Sequence, residues 1–356
     1  MKKLKLALLL MVLISSIMIT GCTNRTPPNG SDTIEVTDSL GRSVDVPKDV
    51  ERVVGLEAGT LRLLVYLECT DLVVGVEDEE YNGGRPYNYA QPELAELPSI
   101  GPIHGGDAEL IMAQKPDVIL WTFTTEGDAD DLQKKTGIPV VALDYGDLGV
   151  NRDHFFDSLR LVGKVMDRSK RAEVLVGYFE EVIEDLDERT KDIPDAQKMS
   201  VYVGGIGYRG AHGILSTEPD YEPVAFVNGK NVAGDLGTEH AFIDKEKLLE
   251  WDPDIILADQ AGSALIKEDL KDQAYANIDA VKNGNVFGVM PYNYYAANYG
   301  TILADAYYIG VLLFPEQFDD INPEAKADEI YQELVGTGVY EDMEQTYGGF
   351  GKIVLT

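Results

Sequence analysis

The sequence predicts an α/β protein of two similarly built lobes joined by a long helix. Three observations carry that expectation. The 356 residues exceed the roughly 250–300 at which a single hydrophobic core stops growing. One motif occurs twice: Asp107-Ala-Glu109-Leu-Ile-Met-Ala-Gln-Lys-Pro116-Asp117-Val-Ile-Leu120 returns as Asp244-Lys-Glu246-Lys-Leu-Leu-Glu-Trp-Asp-Pro253-Asp254-Ile-Ile-Leu257. Each copy reads as a helix with an Asp N-cap, stopped by Pro, then an apolar buried strand; that is half of a βαβ unit. Between the copies lies a Pro-free stretch with apolar residues at helical spacing.

The elements follow in chain order. Lys2, Lys3 and Lys5 precede an apolar run from Leu6 to Ile19, and the run ends at Thr20-Gly21-Cys22. This is the anatomy of a secretory signal peptide over 1–21, shorter than the ~20 apolar residues of a spanning helix. The cysteine after Thr-Gly resembles the lipobox of prokaryotic lipoproteins, which implies that Cys22 carries a lipid and begins the mature chain. Residues 22–32, polar with Pro27, Pro28 and Gly30, read as a flexible tether. An N-terminal lobe is expected over 33–156. It opens with a small edge hairpin from Thr33 to Pro47 around Gly41, then strands at Val53, Asp117–Trp121 and Val140. The bridging region spans 157–192, with Leu161, Val165, Leu175, Val176, Phe179, Val182, Ile183 and Leu186 on one face. Helix from Ser169 to Lys191 gives about 34 Å at ~1.5 Å per residue, a stiff connector. The C-terminal lobe, 193–356, has strands at Ser200, Asp254–Ala258 and Val286. Cys69, in an apolar segment, reads as a packing residue.

Charge and motif content narrow the function. With 62 acidic against 30 basic residues the net charge is −32, which repels nucleic acid and favours a soluble monomer. There is no Gly-x-Ser-x-Gly elbow, phosphate-binding Gly-x4-Gly-Lys-Ser/Thr loop, His-Glu-x-x-His or Gly-x-Gly-x-x-Gly after a strand. An enzyme is therefore not expected. In α/β sheets ligands meet the loops beyond the carboxyl ends of strands. Those loops carry the ligand-binding candidates Glu57, Thr124, Tyr208, Arg209, His212, Tyr292, Tyr294 and Tyr295. Tyr81, Tyr87 and His104 join them from segments between the first lobe's strands. Phenols combine flat apolar area with one hydrogen-bonding tip and can ligate ferric iron. The plainer reading of each tyrosine is a rim residue, and of the Gly-rich run 204–213 a loop needing positive φ.

A family resemblance joins these features. Thr37-Asp-x-x-Gly41-Arg42-x-Val-x-Val-Pro47-x-x-Val-Glu51-Arg52-Val53-Val54 is similar to the opening of the iron-siderophore, haem and cobalamin group of ABC-importer substrate-binding proteins. The Glu-x6-Pro-Asp-x-Ile/Val-Leu pattern and the lipobox agree with it, and Tyr292–Tyr299 resembles a metal-import subgroup. The resemblance implies two Rossmann-like lobes joined by one long bridging α-helix, with a ligand cleft between them. It implies a lipid-anchored protein outside the cytoplasmic membrane, with no intrinsic cofactor and an iron chelate or other metal compound as cargo. It also implies that Glu109 and Glu246, one per lobe, dock into arginine pockets on the two subunits of a permease dimer; the alternative is capping-turn glutamates favoured by the helix dipole. The sequence departs from the arginine-rich clefts of ferric-siderophore binders. Arg209 and Arg85 are the cationic candidates, beside Asn228 and Asn293. A molybdate- or tungstate-type oxyanion is the alternative cargo, and a ligand-binding sensor the alternative of another class.

Overall fold

The computed structural model describes residues 32–355. The signal segment and the lipidation expected at Cys22 lie outside the described residues. Strands β1 (Thr33–Thr37) and β2 (Ser43–Pro47) form a two-stranded sheet of their own. Gly41 turns it at φ 80°. Arg42 then fastens it to the first lobe: its guanidinium binds Asp38 at 2.7 Å and the Val140 carbonyl at 2.5 Å.

The N-terminal lobe is built on a parallel sheet of β3 (Val53–Leu56), β4 (Val118–Thr122) and β5 (Val140–Leu143), in that order. Val54 pairs with Ile119, and Leu120 with Val141. All five residues of β4 are buried, which is why its sequence is an unbroken apolar run rather than an alternation. The C-terminal lobe repeats the plan with β6 (Ser200–Gly204), β10 (Ile255–Asp259) and β11 (Val286–Val289) in parallel. Two short strands, β8 (Lys230–Asn231) and the antiparallel β12 (Gly351–Lys352), close its edges. Strands β7 (Ser216–Thr217) and β9 (Ala241–Phe242) pair apart from it.

The repeated motif has the same physical content in both lobes. Helix Ala108–Gln114 is capped by Asp107, which accepts from the amides of Glu109 and Leu110. Helix Lys245–Trp251 is capped by Asp244, which accepts from Lys247. Each ends in a left-handed residue before the proline, Lys115 at φ 52° and Asp252 at φ 43°. The aspartate after each proline holds the start of the neighbouring strand: Asp117 accepts from the amides of Glu51 and Arg52, and Asp254 from the amide and hydroxyl of Ser200. The central strands β4 and β10 are thereby set in register by the residues that announce them.

The bridging helix runs from Ser169 to Thr190, 22 residues, and buries Leu175, Val176, Phe179, Val182, Ile183 and Leu186. A separate helix, Arg152–Val165, precedes it, and Asp167 at φ 54° makes the break. One hydrophobic cluster continues from β3 through this helix to β6 and the helix Tyr299–Leu313, so the two lobes share a core beneath their loops. Cys69 is free and fully buried, and burial pushes its thiol up to about 12.

Candidate functional site

The strand ends of both lobes face one seam, and the segment after β11, from Pro291 to Asn298, runs along it. Six of the eleven non-glycine residues with positive φ among the described residues lie on its loops: Glu57, His104, Phe123, Arg209, Tyr295 and Ala296. A left-handed backbone costs a residue with a side chain roughly 1–2 kcal/mol. Its concentration here marks a surface shaped for something other than stability.

The N-terminal wall of the seam is a buried polar network. Arg62 comes from the otherwise apolar helix Thr60–Tyr66 and is 1% exposed. It donates to the Tyr145 hydroxyl, to the Ala297 carbonyl at 2.8 Å and to the Tyr295 carbonyl at 3.2 Å. It has no carboxylate partner among the described residues, and its Nε has no hydrogen-bond partner there. Tyr145 adds its own hydroxyl to the Ala297 carbonyl at 2.7 Å. Beside it, Glu77 is 2% exposed; its Oε2 accepts from the Tyr295 hydroxyl at 2.7 Å and the Glu57 amide at 2.6 Å. Burial pushes the Glu77 carboxyl up to about 7, against the pull of those two bonds. Tyr294 reaches Glu79 at 3.3 Å, and Tyr347 reaches the Gly84 carbonyl at 2.8 Å. Phenols of one lobe thus close onto the acidic loop of the other.

The C-terminal wall is different in kind. A cleft of about 420 Å³ is lined by Gly207, Arg209, Gly210, Asp259, Pro291, Asn293, Tyr294, Tyr295 and Tyr347. This lies within the roughly 300–1,000 Å³ of small-molecule sites. Arg209 is exposed, stacks over the Tyr208 ring at 5.6 Å and makes no ion pair among the described residues. Asp259, 2% exposed, is pushed up to about 7 by burial, so its ionisation falls near neutrality. On the far side of Asn293 a second cavity of about 270 Å³ is lined by Asp147, Glu218, Asp220, Glu222 and Glu239. Burial pushes Glu218 and Glu222 up to about 7, reinforced by neighbouring carboxylates.

The residues expected from sequence fall into three groups. Arg209, Tyr294 and Tyr295 line the cleft. Tyr208 and His212 stand at its rim: Tyr208 stacks on His240 at 4.5 Å, and His212 binds the Tyr208 carbonyl. Glu57 and His104 pair at 2.8 Å on the N-terminal loops, and Thr124 is half-buried beside Phe123, itself 63% exposed. Others are placed elsewhere. Tyr87 is a correction: it is fully buried, its hydroxyl donates to Glu80, and it lines neither cavity at Asn293. Arg85 is likewise fully buried and held by Glu80 at 3.0 Å, so its charge is already matched. Tyr81 donates to the Leu97 carbonyl within its own loop. Tyr292 lines the acidic cavity and leans on Tyr221. Asn228 binds Asp187 on the bridging helix. Sequence reasoning missed Arg62, Glu77 and Tyr145. Only Arg62 left a signal, as a lone cation in the run Thr60–Tyr66.

Two α/β lobes on a shared helix, with a ligand-sized cleft at facing strand ends, define a two-lobed solute-binding protein. The comparisons agree. Residues 53–292 match the family model described as periplasmic binding protein, and the chain belongs to that family. It is 25% identical to the molybdate-binding protein MolA of Haemophilus influenzae, over 96% of this chain and 99% of that one. The molybdate-bound structure of MolA superimposes with a TM-score of 0.68, covering 86% of this chain and 98% of that chain at 24% identity. The uncharacterized ABC transporter substrate-binding lipoprotein YvrC of Bacillus subtilis is 22% identical over 79% of this chain and 88% of its own. The petrobactin-binding protein YclQ of the same organism is 22% identical over 79% and 90%. These relatives are solute-binding proteins rather than enzymes, and the chain is a solute-binding protein of an ABC importer.

Proposed function

We propose that the chain captures a metal-containing anion outside the cytoplasmic membrane and hands it to an ABC-importer permease. One observation carries the choice of an anion: Arg209 stands without an ion-pair partner among the described residues, in a cleft of a chain whose net charge is −32. The guanidinium is exposed at the cleft and open to an anionic ligand. Tyr294, Tyr295 and Tyr347 around it already give their hydroxyl protons to Glu79, Glu77 and the Gly84 carbonyl, whereas Asn293, whose amide donates to the Gly207 carbonyl, keeps a second N–H for a ligand. The acidic cavity beyond Asn293 repels the same ligand and confines it to the Arg209 side.

The exposed Arg209 guanidinium and the second N–H of Asn293 suit a tetrahedral oxyanion of the molybdate or tungstate type. The likeness to MolA over nearly the whole chain supports this order, which reverses the preference drawn from sequence. A ferric chelate is the second reading, favoured by the exposed rings of Phe123 and Tyr208, which would cover a ligand's organic surface. Glu109 and Glu246 are both exposed and make no salt bridge among the described residues; this supports their docking to permease arginines. The Thr-Gly-Cys22 motif supports a lipid tether. Titration calorimetry with molybdate, tungstate, sulfate and ferric citrate tests the ligand. Micromolar or tighter binding of molybdate or tungstate is expected, about −8 kcal/mol or better. Binding of ferric citrate alone would favour the second reading, and binding of none would overturn both.

A further inference from the structure

Each exposed docking glutamate has exposed apolar neighbours, yet the two lobes supply them differently. Beside Glu109 they come from its own helix, Leu110 at 43% and Met112 at 38% exposure. In the second copy of the motif those positions hold Lys247 and Leu249. The apolar surface is instead brought in from outside the helix. An open groove of about 500 Å³ beside Glu246 is lined by Leu236, Phe242 and Ile243, with Asp244, Lys247 and Glu250 around it. Leu236 is 44% and Phe242 59% exposed. Lys247 does not neutralise Glu246: its ammonium reaches Glu250 at 3.3 Å and lies over the Trp251 ring at 5.2 Å. The groove therefore offers an unpaired carboxylate beside an apolar floor.

Phe242 also faces the other way. Its ring packs edge-on against His212 at 5.0 Å and His240 at 4.8 Å, and lies 6.4 Å from Tyr208. Those three residues hold the Gly-rich loop that presents Arg209 to the cleft, since Tyr208 stacks on His240 and carries Arg209 over its face. His240 is anchored in turn, its Nε2 lying 2.7 Å from the Ser216 hydroxyl. One partly exposed ring thus belongs both to the groove and to the stack behind the ligand loop.

We propose that the groove at Leu236, Phe242 and Glu246 receives a permease loop carrying a basic side chain beside an apolar one, and that Phe242 transmits this docking to the Arg209 loop. The inference rests on reading Glu246 as a docking residue. The charge pattern selects the occupant: Glu246 takes the basic group, and the floor of Leu236, Phe242 and Ile243 takes the apolar tip. Seating a side chain against Phe242 turns its ring and loosens the packing of His212 and Tyr208. The loop then loses the support that fixes Arg209, and the cleft lets its ligand go.

The test binds the ligand-free full chain to its importer's permease dimer in nanodiscs and follows hydrogen exchange of the 204–213 amides. Leu236→Ser and Phe242→Ala are each expected to weaken docking about tenfold. Docking should raise exchange of the 204–213 amides in the wild type and in Leu236→Ser at saturating permease, but not in Phe242→Ala. Both side chains are exposed, and unchanged melting temperatures verify that the variants fold. If Glu246→Gln fails to dock while Leu236→Ser and Phe242→Ala dock as the wild type does, the groove is overturned and the docking glutamate stands. If Glu246→Gln docks normally, the underlying reading fails. A rise in exchange that persists in Phe242→Ala overturns the transmission step.

Discussion

The two cavities that meet at Asn293 have opposite characters. One is aromatic, with Arg209 unpaired among the described residues and a single buried acid, Asp259; the other gathers five acidic side chains. They share a wall residue and a backbone segment, so shape alone does not distinguish them. Charge does. An anion entering the seam is attracted to one side and repelled from the other, and the single segment Pro291–Asn298 keeps the two environments apart. The contrast rests on the one exposed guanidinium, which stands on one side of Asn293 while carboxylates gather on the other.

The largest expected effect comes from making the two sides alike. Arg209→Glu should weaken anion binding at least about 100-fold, while its exposed position leaves the melting temperature nearly unchanged. Calorimetry and thermal denaturation on one preparation check both halves. Equal affinity in the variant would mean that the charge contrast does not select the ligand.

Next comes the wall common to both sides. Arg62→Met leaves the carbonyls of Tyr295 and Ala297 without their guanidinium donor. Urea denaturation should show a loss of about 2–4 kcal/mol. The pH dependence of the acidic cavity is of similar size. Burial raises Glu222 from 4.5 to about 7. A raised folded pKa gives stability that is fully present below the unfolded value and lost as pH climbs through the folded one. Wild-type stability should therefore fall between about pH 4.5 and 7. Glu222→Gln should flatten that decline and gain about 2–3 kcal/mol at pH 8 with no gain at pH 4. A variant as pH-sensitive as the wild type would contradict the assignment to Glu222. The smallest effect belongs to the bond across the seam: Tyr295→Phe removes the donor to Glu77 and should cost about 1 kcal/mol.

Much of the fold was readable because its strands are buried on both faces. Val53–Leu56, Val140–Leu143 and Val286–Val289 are short apolar runs between Gly, Pro and Asp, and no other element suits them. The Asp-capped repeat was readable for the same reason: capping and the post-proline aspartate are local chemistry. The site was less so. Tyrosines in loops announce themselves, but whether a phenol faces a cleft or a core depends on packing that no spacing encodes. Tyr87 went into the core and Tyr295 to the cleft, from equally tyrosine-rich segments. Arg62 and Glu77 meet Tyr295 from more than 200 residues away, a partnership of tertiary origin. Phe242 was silent for the same reason, since its partners His212 and Tyr208 lie on a different loop.

The measurement that bears most directly on a metal-containing anion is elemental analysis of the protein purified from its native host. About one equivalent of molybdenum or tungsten per chain is the expected result, lost in Arg209→Glu. Iron in the same stoichiometry would select the chelate. A protein that carries no metal, or carries it undiminished in Arg209→Glu, would contradict the assignment of the Arg209 cleft.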